Sequence, residues 1–170
     1  MPTSVLVCYA TRYGSTEEVA ETIAETLHEH GIEVVVRSVL EVQNLDQYGV
    51  VVLGAPLYMF HLHKDALHFL TRHHAALEAR PVFIFALGPI HTDEKEFQGA
   101  SQQLEKELAK FHWLVPEETK IFGGKLDPQT LRFPYNLFMG RQSASDVRDW
   151  TAIRAWASDL AAQFHTVVAP

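Results

Sequence analysis

Short apolar runs and helix-spaced apolar positions alternate along the chain. Val5–Tyr9 is an apolar run that predicts a first strand. Val19, Ile23 and Leu27, with Ala20 and Ala24 beside them, recur at helical spacing and predict a helix that Gly31 stops. Val34–Val39 and Val50–Leu53 predict strands two and three, the latter ending at Gly54. A second helix is expected from about Lys64 to Glu78, with Ala66, Leu67, Leu70 and Leu77 available for burial. Pro81 precedes a fourth strand, Val82–Leu87, which is apolar throughout. Phe97, Leu104, Leu108 and Phe111 define a third helix face, and Lys120-Ile121-Phe122 a fifth strand. Trp150, Ile153, Ala157, Leu160 and Phe164 line a last helix.

Strands that are apolar at every position are buried on both faces, which implies a parallel sheet with helices on either side. Five strands alternating with helices read as a doubly wound α/β fold. The length of 170 residues favours one domain over 1–170 with a substantial core. In such sheets ligands bind beyond the carboxyl ends of the strands, where strand order reverses. The loops to inspect therefore follow strands one, three and four.

After strand one, Thr11-Arg12-Tyr13-Gly14-Ser15-Thr16 brings hydroxyls and a glycine to a helix start. Backbone N–H and O–H donors with positive helix-dipole character suit a phosphate. The loop lacks the Gly-Lys-Ser/Thr ending of a Walker motif and is not GxGxxG, so a phosphate monoester fits better than a dinucleotide or a nucleoside triphosphate. A ligand-free reading also exists: Ser15 as N-cap and Glu18 reaching back to it form a capping box. After strand three, Pro56, Leu57, Tyr58, Met59 and Phe60 put apolar and aromatic side chains at a strand end. They would stack on a flat aromatic ligand or fold back over the core. After strand four, Gly88, Pro89, Ile90, His91 and Asp93 form the third loop, again opening on a small residue.

Composition narrows the function classes. Hydrophobic residues at 47% and charged residues at 21% are ordinary for a globular protein. A net charge of −7 argues against a nucleic-acid partner, which needs a basic face. The single cysteine, Cys8, cannot form an internal disulfide, so a cytoplasmic setting is expected, with an inert buried thiol in mid-strand. No apolar stretch approaches the roughly 20 residues that span a bilayer, and no signal peptide is expected at the N-terminus. The ten histidines have no cysteine partners and no HExxH, so no metal site is expected.

The loop Thr11–Thr16 resembles the phosphate loop of the flavodoxins. The stretch Leu45–Tyr58, an acidic residue and an apolar run ending in Gly54-Ala55-Pro56-Leu57-Tyr58, is similar to a second flavodoxin segment. The resemblance covers nearly the whole chain. It implies a flavodoxin-like three-layer sandwich: a five-stranded parallel sheet in order 2-1-3-4-5 with helices on both faces. It also implies FMN, with the phosphate held by Thr11–Thr16 and the isoalloxazine between Pro56–Phe60 and Gly88–Asp93. Arg12 departs from the usual neutral loop and would approach the phosphate, approach a second anion, or stay in solvent.

Two roles follow from that resemblance: a one-electron carrier, or an oxidoreductase acting on an organic substrate. Carriers surround the flavin with acid, which lowers the hydroquinone potential. Here His61, His63, Lys64 and His91 stand against Asp65, Asp93 and Glu94, so acidic dominance is missing and the oxidoreductase is favoured. The three histidines are suited to proton handling, although each also reads as a solvated loop residue. The segment from Gly123-Gly124-Lys125-Leu126 through Leu131–Arg141 is long for a connection, with arginines flanking an apolar centre. It would suit an amphipathic aromatic substrate or a quinone at a membrane surface, or else form a short helix over the sheet edge. With Asp149-Trp150, and with His61-Leu62-His63, it resembles the menaquinone-dependent protoporphyrinogen oxidase branch, though the insert is shorter and less basic. A flavin-free α/β signalling or interaction module remains the reading from another class. Oligomeric state is not legible.

Overall fold

The computed structural model describes residues 4–58, 61–129 and 144–167. In chain order the elements are β1 (Ser4–Tyr9), α1 (Ser15–Glu29), β2 (Val34–Ser38), β3 (Tyr48–Tyr58), β4 (His61–Leu62), α2 (Lys64–Arg72) and α3 (His74–Glu78). They continue with β5 (Val82–Leu87), α4 (Glu94–Leu108), β6 (Glu118–Phe122), β7 (Lys125–Leu126), β8 (Ser145–Asp146) and α5 (Trp150–Val167). Five parallel strands lie in the order β2-β1-β3-β5-β6. This is the expected 2-1-3-4-5 arrangement, with β5 and β6 as the fourth and fifth parallel strands. The two-residue β4 pairs antiparallel with the end of β3.

Side chains alternate across a strand, so each central strand feeds two cores. Val5, Val7, Val50, Val52, Phe83 and Phe85 pack with α1 and α5. Leu6, Cys8, Val51, Leu53, Ile84 and Ala86 pack with α2, α3 and α4. The result is three layers, and it explains why these strands are apolar at every position.

Three boundaries differ from expectation. β3 does not stop at Gly54 but runs to Tyr58, because Ala55 and Pro56 stay in register with Ala86 and Leu87 and Leu57 pairs with Leu62. Pro56 is tolerated there because β1 has already ended opposite Gly54. The second helix is two helices meeting at His73, a buried residue whose ring lies 4.8 Å from Phe69. α4 ends at Leu108, and Phe111 packs on the core from the turn beyond it. Gly54 is required by close approach: a Cβ there would fall 2.0 Å from the Phe85 ring.

Candidate functional site

The turn after β1 is built from its own residues. Gly14 is the N-cap of α1 at φ 89°, a left-handed conformation that glycine adopts without steric cost. Its amide donates to Thr11 Oγ1 at 2.9 Å, which closes the turn. The expected capping box does not form. Ser15 is already helical, no side chain caps the N-terminus, and the Glu18 carboxylate lies 3.3 Å from Arg148 Nη1. The amides of a first helical turn have no intrahelical acceptor, and among the described residues no side chain caps them. Thr16 is fully buried, and its Oγ1 has no partner among the described residues. A buried hydroxyl normally finds a partner. An orphaned Thr16 Oγ1 beside free first-turn donors fits a phosphate oxygen. Arg12 is exposed, with its guanidinium 5.6 Å from the Tyr13 ring centre.

The fold brings the other two loops to this turn. The Tyr13 ring meets Tyr58 edge-on at 6.1 Å, which joins the first loop to the second. Leu57 reaches the third loop, where a Cβ on Gly88 would lie 3.5 Å from Leu57 Cδ1. Both Leu57 and Tyr58 are half-buried at this strand end. Met59 and Phe60 lie outside the described residues. In the third loop, Pro89 is buried and Ile90 half-buried, and the Ile90 amide donates to Glu96 Oε1 at 2.8 Å. His91 is exposed with Nδ1 3.2 Å from Glu96 Oε2. Asp93 caps α4, its Oδ1 accepting from the Lys95 amide at 2.9 Å, so its carboxylate serves the helix.

Each loop histidine has a carboxylate partner, and charge counting along the loops, which included Asp65, missed Glu107 and Glu96. His61 Nδ1 lies 3.4 Å from Glu107 Oε1. Glu107 is 2% exposed and also accepts from the Leu62 amide at 3.0 Å and Lys110 Nζ at 2.6 Å. Burial pushes the Glu107 carboxyl up, but the hydrogen bonds from Lys110, Leu62 and His61 outweigh it and hold it below the usual range. His63 is not a solvated loop residue. Its Nδ1 accepts from the Asp65 amide at 3.1 Å as the N-cap of α2, and burial lowers its pKa. At the first loop, burial and the hydrogen bond to Glu17 push the Tyr9 phenol up to about 12, so it stays a donor.

β7 and β8 pair antiparallel, Lys125 with Asp146 and Leu126 with Ser145, and so form a two-stranded root for the chain between them. The Gly124 amide donates to Pro89 O at 2.6 Å, which fixes this root against the third loop. Gly123 allows the contact with the returning chain, since a Cβ there would fall 2.2 Å from Val147 O. Of the long insert, residues 130–143, including Leu131–Arg141, lie outside the described residues. Past β8, Arg148 is buried, with its guanidinium forked onto Asp146 (Nε–Oδ1 2.9 Å, Nη2–Oδ2 2.8 Å). Its Nη1 reaches Ser15 O and Glu18 Oε2, each at 3.3 Å.

The sequence-derived loops therefore converge, while Glu96, Glu107, Asp146 and Arg148 were missed. Glu107 had a readable signal: it sits on the Leu104, Leu108 and Phe111 face, where a carboxylate needs buried partners. Arg148 had none, because it follows an unpatterned segment. Among the described residues no cluster of histidine, cysteine or acidic groups could hold a metal, and no helix is long and apolar enough to cross a membrane.

Comparison with known proteins follows this geometry. Residues 6–141 match the family described as Flavodoxin domain. Protoporphyrinogen IX dehydrogenase [quinone] of Escherichia coli is 28% identical over 137 residues, 79% of this chain and 75% of that protein. The protein of the same name from Leishmania major is 26% identical over 175 residues, covering 92% of this chain and 74% of its own length. A flavodoxin from the domain Archaea superposes with a TM-score of 0.57 at 14% identity, covering 95% of this chain and 98% of its own.

Proposed function

The chain belongs to the Flavodoxin domain family, and from that premise we propose that it is an FMN-dependent oxidoreductase taking electrons from a porphyrinogen-like substrate and passing them to a quinone. One observation carries the reading: the β7–β8 ribbon ties the root of the long insert to the loop beside the flavin position. The root of the insert therefore lies beside that loop, and we assign the insert to an organic substrate, which a plain carrier does not need. The names of the relatives from Escherichia coli and Leishmania major supply the substrate class.

When bound, FMN supplies reversible electron and proton exchange at its ring. The chain's own groups do the rest. Thr11, Ser15 and Thr16, with the first-turn amides of α1, hold the phosphate. Tyr13, Leu57 and Tyr58 on one side and Gly88, Pro89 and Ile90 on the other bracket the ring and exclude water. Met59 and Phe60 would complete the ligand set; Asp93 caps α4 and His91 pairs with Glu96, so these two would frame the third loop rather than contact the ring, and Arg12 would lie beside the phosphate. His61, oriented by Glu107, and His91, oriented by Glu96, are the groups suited to hold or move protons. A quinone is the proposed acceptor, met at a membrane surface, and the proposed setting is cytoplasmic.

The first test is the visible spectrum of the purified protein before and after incubation with FMN and removal of the excess. Retained flavin with shifted bands is expected. A protein that stays colourless leaves only the fold. Anaerobic mixing with a porphyrinogen should then bleach the flavin, and a quinone should restore it. A second reading, an electron carrier, is favoured by the carboxylates paired with His61, His63 and His91. A very low semiquinone/hydroquinone potential on titration would decide for it.

A further inference from the structure

Arg148 lies 133 residues from Ser15 in sequence, yet its guanidinium reaches the first turn of α1. The side chain is 3% exposed and lies 4.8 Å from the Trp150 ring centre. Removing such a buried cation from its partners leaves the carboxylates uncompensated. The first turn of α1 carries Glu17, which accepts from the Tyr9 hydroxyl, and Glu18; Arg148 binds Glu18 together with Asp146 of the ribbon while donating to the Ser15 carbonyl. Lys125, paired with Asp146 in the ribbon, is the other cation close to that group. Beside them, Thr16 Oγ1 is buried without a partner. Without Arg148, Glu18 and Asp146 would lose their shared counter-charge, and a dianionic phosphate entering this turn would meet carboxylate charge that repels it. The ribbon is also the root of the insert, so the same guanidinium joins the insert to the phosphate turn.

We propose that Arg148 is a positioning residue for the phosphate turn: it offsets Glu18 and Asp146 and holds the Ser15 carbonyl, so that the first-turn donors of α1 and Thr16 face the phosphate of FMN. The inference rests on the FMN reading. It makes Arg148 specific for the phosphate and indifferent to the ring. A flavin without a phosphate, riboflavin, therefore separates this role from a general contribution to folding.

The experiment is a fluorescence-quenching titration of the flavin-free protein with FMN and with riboflavin, for wild type, Arg148→Gln and the double variant Asp146→Asn/Arg148→Gln. Arg148→Gln is expected to raise the FMN Kd by about tenfold or more, equivalent to the loss of one charge-assisted contact. Riboflavin should stay within about twofold, since it brings no charge to the turn. The double variant should recover part of the FMN affinity because it removes one of the repelling carboxylates. Equal weakening of both flavins, or an unchanged FMN Kd, overturns the proposal. If Arg148→Gln does not fold, Arg148→Lys keeps the charge and loses the fork, and the FMN-to-riboflavin ratio should still fall; an unchanged ratio counts against it. Wild-type protein that binds neither flavin defeats the flavin reading itself, a distinct result.

Discussion

The turn at residues 11–16, proposed to hold the phosphate, and the loops proposed to flank the flavin ring are built on different principles. At residues 11–16 the donors are backbone amides and hydroxyls within six consecutive positions, and one left-handed glycine aims them. At the ring loops, side chains are held by groups remote in sequence: Glu107 reaches His61 from 46 residues away and the Leu62 amide from 45. The donors of the first region come from local sequence, with Arg148 added to them from far along the chain, and the second region is specified by the packing of α4 against the β3–β4 hairpin. On the proposed function, the local device would serve the phosphate and the tertiary placement would serve substrate selection.

The largest expected effect sharpens this contrast. Deleting Leu131–Arg141 should abolish substrate oxidation while leaving the FMN Kd within about twofold, because the phosphate turn does not contain the insert. Unchanged turnover in a stopped-flow assay would refute the role given to the insert. Next in size, Thr16→Val keeps the side-chain shape but removes the orphaned hydroxyl. FMN affinity should fall about tenfold, or ~1.4 kcal/mol, with riboflavin unaffected, and the flavin-free protein should be no less stable. Calorimetric titration and a denaturant melt read the two effects separately.

The ring end should respond through stability. Glu107→Ala leaves the Leu62 amide without its buried acceptor and should cost about 1–3 kcal/mol in urea unfolding. Glu107→Gln keeps an acceptor and should cost less. A loss that the two variants share would place the effect in the carboxylate charge that Lys110 and His61 meet, rather than in the acceptor of the Leu62 amide.

The smallest effect is on pH. Burial lowers the pKa of both His63 and His73 from 6.5. Between the folded pKa and 6.5 the unfolded chain binds more protons, so stability rises with pH there. The contribution is fully present above 6.5 and is lost as pH falls through the folded values. The melting temperature should therefore drop on acidification below 6.5, and His73→Gln should flatten the slope. The lowered carboxyl pKa values of Glu107 and Asp146 act in a separate window: their contribution is present above the unfolded values and is lost as pH falls through the folded ones. A flat melting profile from pH 7.5 to 5 would contradict the histidine assignment.

Several elements were legible for physical reasons. Val5–Tyr9 and Val82–Leu87 read as doubly buried strands because a run apolar at every position has no solvent face. Gly31, at φ 81°, was rightly read as the stop of α1, since only glycine takes that conformation cheaply. The extension of β3 to Tyr58 was not legible, because Pro56 signals a break unless one knows that β1 has already ended. The division at His73 was hidden too: an apolar period runs through it, and only the buried ring against Phe69 marks the site.

Sequence alone determined the doubly wound class, the three loops that meet, and the donors of the phosphate turn, because burial periodicity and turn chemistry are short-range properties. Tertiary structure decided the rest. Glu107 under His61, Arg148 under Ser15 and the β7–β8 root against Pro89 all join residues far apart in the chain. A charged side chain gives no local sign of its partner. Its partner is chosen when helices and strands pack, and burial leaves the ion no alternative but to find one.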